Sequence, residues 1–75
     1  MSFFEKLVLI NKHENLNEFI NDENYHIRMH VAKQGYGLEK LIGDSHDIVR
    51  DAVVNYCKKH LYDKECKRIL TLYKI

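Results

Sequence analysis

Residues 38–53 read LEKLIGDSHDIVRDAV, and the spacing of the apolar residues in this stretch decides the fold class. Leu38, Leu41 and Ile42 stand three and four apart, and so do Val49, Val53, Tyr56 and Cys57 further along. That spacing lines one face of a helix, and no strand-type alternation competes with it. Gly43 and Asp44 separate the two sets, so the stretch predicts a short helix, a tight turn and a longer helix.

The same pattern precedes it. Residues 16–37 overlay on residues 38–59 at a shift of 22, pairing Leu16 with Leu38, Ile20 with Ile42, Asp22 with Asp44, Arg28 with Arg50 and Val31 with Val53. These are five identities in 22 positions, where average residue usage gives roughly one by chance. Phe19 with Leu41 and Ile27 with Val49 add apolar matches. Gly35 and Gly43 stand at expected helix ends, where a left-handed cap is needed, and Gly37 loosens the turn between units. The flanks read as capping helices. Residues 1–15 open with Ser2 and Glu5, a Ser-x-x-Glu capping box, followed by Phe3, Phe4, Leu7, Leu9 and Ile10. Residues 60–75 contain a final helix capped by Asp63 and expected through about residue 74, with Ile69, Leu70, Leu72 and Tyr73 on its apolar side.

The pattern Leu-x-x-Leu-Ile-x-Asp-x-x-x-x-Val-Arg-x-x-Val, complete from Leu38 to Val53, resembles the HEAT-like repeat superfamily. Its short period is similar to the leucine-rich-repeat-variant branch, whose units pair a very short helix with a longer one. The resemblance covers about residues 16–59. It implies one all-α domain: a short right-handed HEAT-like α-solenoid with two recognisable repeats and degenerate capping helices. It also implies that Asp22, Arg28, Asp44 and Arg50 form a structural ladder between neighbouring repeats. Chemically, such an Asp can accept N–H groups at the start of a long helix while a guanidinium from the adjoining repeat binds it with two parallel bonds. Asn55-Tyr56-Cys57 departs from the family, whose members often turn tightly there.

Composition sets outer limits. The 75 residues allow a single domain, and 45% apolar with 31% charged residues is an ordinary globular balance. The longest apolar run, Leu7 to Ile10, is far too short to cross a bilayer. No basic leader with a cleavage site precedes it, so cytoplasmic residence without membrane association is the expectation. Cys57 and Cys66 match neither a redox pair nor a zinc knuckle and read as free packed thiols. His26 with His30, and Cys57 with His60, have ligand-like spacing, but nothing completes either set; no metal and no cofactor are expected. Ser2 and Ser45 read as helix caps, and His46 and Asp47, adjacent in sequence, would point apart on a helix, so no catalytic set is visible.

Binding is what remains. Five tyrosines are many for this length, and tyrosine suits contact surfaces because a large rigid ring carries a polar end. Tyr36, between two glycines at the repeat turn, is the leading contact residue, or else a lid folded over the helix end; Tyr25, His26, His46 and Asp47 complete the candidate protein-binding set. The expectation is a non-catalytic protein-binding module, such as a small adaptor or stoichiometric inhibitor. Its Lys-, Asn- and Ile-rich composition is what an AT-rich bacterial genome or its phage yields. The alternative is nucleic-acid binding through a basic C-terminal helix, using Lys58, Lys59, Lys64, Lys67 and Arg68. Residues 53–75 carry six basic residues against two acids, although the whole chain is only +1. Self-association into a homo-oligomer is a further expectation, because a two-repeat stack leaves apolar ends.

Overall fold

Six helices follow one another along residues 1–73, the part of the chain that this computed structural model describes. They are α1 (Phe3–Asn11), α2 (Leu16–Phe19), α3 (Tyr25–Lys33), α4 (Leu38–Leu41), α5 (Asp47–Lys59) and α6 (Lys64–Leu72), and among the described residues there is no strand. The fold is all-α. The long helices α1, α3 and α5 start 22 residues apart, at Phe3, Tyr25 and Asp47, and the short helices α2 and α4 keep that interval. The molecule measures 37 × 23 × 16 Å; α3 packs between α1 and α5, the short helices close the other side, and α6 packs on α5 and α4.

The core repeats the sequence pattern in space. Ile27 and Val31 on α3 meet Val49 and Val53 on α5, while Leu16, Phe19, Leu38 and Leu41 enter from the short helices, all buried. No polar or charged residue is fully buried among the described residues, so the core is held by apolar contact alone. The expected end caps form. Ser2 Oγ accepts from the Glu5 amide at 3.1 Å and Glu5 returns the bond to the Ser2 amide at 3.2 Å, while Asp63 accepts from the Glu65 and Cys66 amides. The last helix ends at Leu72 with Tyr73 as its C-cap; the expectation that it reaches residue 74 falls outside the described residues.

Three features differ from the sequence reading. Gly43 is not left-handed; the positive angles are at Gly35 (φ +79°) and Gly37 (φ +64°), and the equivalent positions one unit earlier, His13 and Asn15, take φ 60° and 58° without glycine. Gly37 is therefore a specific requirement, not a loosened turn, and the Ile20 side chain occupies the space a methyl there would need. The second feature is α5, whose 13 residues run straight through Asn55-Tyr56-Cys57, whereas α1 and α3 have nine each. The third lies on α1, where only Ile10 of the six apolar residues is fully buried, and Phe4 (77% exposed) and Val8 (52%) face outward.

Between units runs a ladder of ion pairs. Arg28 on α3 grips Asp44 with two parallel bonds, Nε at 2.7 Å and Nη2 at 3.1 Å, and its Nη1 donates to the Asp22 carbonyl at 2.6 Å. Asp44 Oδ1 also accepts the His46 amide at 2.9 Å, and Asp22 Oδ1 accepts the Asn24 amide at 2.8 Å. The partner of Asp22 is Lys6, at 2.6 Å, a residue the sequence ladder did not include. Arg50 holds no acid and donates only to the Asp44 carbonyl, at 2.6 Å. Burial by itself would raise the Asp44 carboxyl, but the Arg28 fork and the His46 amide outweigh it and hold it below the ordinary aspartate value; Lys6 and the Asn24 amide do the same for Asp22.

Arg28→Ala is therefore expected to cost about 1–3 kcal/mol by stranding the partly buried Asp44, and Arg50→Ala less, since it strands only a carbonyl. Urea midpoints for the two variants check this order, which is wrong if Arg50→Ala is the more damaging. Because both aspartates have lowered folded-state values, their contribution is complete above the ordinary aspartate pKa of about 3.9 and is lost as pH falls through the folded values. Asp44→Asn should thus lose less stability than the parent between about pH 6 and about pH 3.

Candidate functional site

Two edges of the long-helix layer gather the chemistry. At the N-terminal ends of α3 and α5, Tyr25 and His46 stack face to face, with centroids 3.6 Å apart and planes 11° apart, and His26 leans on Tyr25 at 4.3 Å. The sequence places these residues there through capping. Asn24 accepts the His26 amide and starts α3, and His46 occupies the corresponding N-cap of α5. Being a cap, His46 is outside the helix, so Asp47 does not point away from it: the carboxylate lies 3.4 Å from His46 Nδ1. That nitrogen is shielded from solvent and makes no hydrogen bond. Tyr25, His26, His46 and Asp47 thus come together. Tyr36, 39% exposed, belongs beyond the opposite end of α3.

At that opposite edge the C-terminal ends of α1, α3 and α5 surround an open groove of about 570 Å³. Its walls come from His13 after α1, Lys33 and Gln34 at the end of α3, and Asn55, Tyr56, Lys59 and His60 on and after the extended α5. Among the described residues no acidic side chain lines it. Its floor is rigid. Tyr56 stacks on His60 (3.9 Å, 15°) and presses its ring against Gly35, where any Cβ would collide with it. His60 Nδ1 lies 2.8 Å from the Tyr56 carbonyl, which only accepts, so Nδ1 carries the proton and Nε2 is left for another partner. Gln34 is steadied by a bond to Asn11 at 3.3 Å.

Along α3, His26, His30 and Lys33 lie four and three residues apart, and the helix contains no acid. Partial burial, with Lys33 and His26 nearby, lowers the pKa of His30. The groove was missed in the sequence because its walls are far apart in the chain. The overrun of α5 past Asn55-Tyr56-Cys57 was the available signal, since it carries Tyr56, Lys59 and His60 beyond the ends of the other helices.

Within the basic C-terminal set, Lys59 and Arg68 have different surroundings. Lys59 turns into the groove, whereas Arg68 pairs with Glu39 on α4, beside a separate hollow bounded by Ile42, Ile69 and Leu72. Lys58, Lys64 and Lys67 are exposed. Among the described residues no three His, Cys, Asp or Glu side chains converge as a metal site would require, and no helix is long and apolar enough to cross a membrane. Cys57 and Cys66 are free, buried and within hydrogen-bonding reach of each other between α5 and α6. Burial first, then the neighbouring thiol, pushes Cys57 up to about 12, and burial raises Cys66 as well.

No family model matches the chain, and no curated protein and no solved structure shows significant similarity to it.

Both thiols are held protonated, so neither should react with an aromatic disulfide reagent in the native protein at neutral pH, and both should react once it is unfolded. Rapid labelling of either cysteine in the folded chain would contradict the packing of α6 on α5.

Proposed function

We propose that this chain is a short HEAT-like helical-repeat module that binds a partner protein and catalyses nothing, acting as a small adaptor or stoichiometric inhibitor. The observation that carries the reading is the groove where three long helices end, built from a locked tyrosine, two lysines, two histidines and two side-chain amides. Its volume lies in the range usual for binding clefts, about 300–1,000 Å³, its lining of mainly polar residues suits a hydrogen-bonding partner, and a stacked floor limits the entropy lost on binding. The 22-residue interval of the helices and the forward-reaching ion pairs support the solenoid reading, in which units stack and present one face.

Tyr25, His26, His46 and Asp47 supply a second contact area along the same helices, with Tyr36 beside the groove turn. Nucleic acid is the weaker reading. Arg68 is engaged by Glu39, which leaves fewer cations to neutralise phosphates together.

The test is steric. Asn55 is exposed on the groove wall, so Asn55→Trp should fill the groove without disturbing the core. Tagged parent and variant are compared in affinity capture after nuclease treatment, with melting curves as the folding control. A protein partner held by the parent and weakened at least tenfold in the variant, about 1.4 kcal/mol, is the expected result. Capture that depends on intact nucleic acid, or that ignores Asn55→Trp, would sink the proposal.

A further inference from the structure

We infer that the groove at the C-terminal ends of α1, α3 and α5 accepts an acidic segment of the partner protein. This rests on the protein-binding reading above and specifies its chemistry. Lys33 and Lys59 face the groove from two different helices, His13 and His60 flank them, and among the described residues no carboxylate lines the groove beside either lysine. Neither lysine takes part in an ion pair among the described residues. Two uncompensated lysines beside a floor of Tyr56 and Ala52 favour a carboxylate over water more strongly than isolated surface lysines do.

The groove suits a peptide better than nucleic acid. Two lysines on separate helices neutralise few phosphates, and the affinity of a phosphate backbone grows with each one neutralised. A peptide segment needs only a carboxylate for Lys33 or Lys59 and brings backbone donors and acceptors of its own. The side-chain amides of Gln34 and Asn55 can serve either partner of a peptide bond. Tyr56 is no base-stacking platform either, since one face is covered by His60 and its edge is pressed on Gly35.

The experiment is an NMR titration of the isotope-labelled chain at about physiological ionic strength. Three probes are used: a peptide of alternating Glu and Gly, its Gln-for-Glu counterpart, and a short oligothymidylate. The expected result is that the Glu peptide shifts the amides of Lys33, Gln34, Asn55 and His60 and binds at least tenfold more tightly than the Gln peptide. The double variant Lys33→Glu, Lys59→Glu should lose this binding, and Lys33→Arg, Lys59→Arg should keep it. Equal affinity for the Gln peptide, tighter binding of the oligothymidylate at these residues, or shifts confined to another surface would each overturn the inference. Partner capture separates this from the underlying reading. Loss with Asn55→Trp but not with the Glu variants removes the acidic segment and leaves protein binding standing; indifference to all of them removes both.

Discussion

A cation on each of the first two long helices reaches forward sixteen residues to an aspartate in the next turn: Lys6 to Asp22, and Arg28 to Asp44. Each aspartate has a second task, accepting the amide of the residue that caps the following helix. One carboxylate therefore fixes where a long helix starts and also ties that start to the helix before it. The Arg28 fork adds the Asp22 carbonyl, so a single guanidinium spans two successive turns. Apolar packing between α3 and α5 provides the attraction and fixes which face of each helix is buried. The directed bonds add a fixed link between successive helices at the turns where the next one starts.

Much of this was legible from residue type and spacing. The Ser2–Glu5 box, the Asp63 cap and the division into short and long helices follow from local rules that act within one turn. The aspartates were also readable. Their partners were less so, because charge alone does not say whether Arg50 or Arg28 reaches Asp44; the direction of stacking does. Lys6 was hidden by its identity: a shift of 22 places it on Arg28, but lysine for arginine is not a repeat identity. The groove could not be read at all before three helix ends were brought to the same level. The pairing of Tyr25 with His46 likewise depends on two helix starts, capped by Asn24 and His46, lying side by side.

The left-handed positions show how far sequence identity understates structural equivalence. Gly35 and Gly37 pay no steric cost for their angles, while His13 and Asn15 adopt them with side chains attached. Asn tolerates this region well, but His13 gains nothing obvious in its own backbone. What differs is the surroundings: Gly35 is covered by the Tyr56 ring, whereas His13 stands free on the rim of the groove. Glycine is imposed by the neighbour as much as by the angle, and a sequence comparison of the two turns sees only the mismatch.

The contact between Tyr56 and Gly35 also has an evolutionary consequence. A larger residue at position 35 must find a smaller one at position 56 already in place, and a smaller residue at 56 leaves a gap over Gly35 and removes the ring that steadies His60. Neither site can drift alone. The rim behaves differently, because Lys33, Asn55 and Lys59 project into solvent and can be exchanged one at a time. A lineage carrying this chain would then change the charge and hydrogen bonding of its groove freely while inheriting the floor as a linked pair, so new partners would be acquired at the margin and never through the centre.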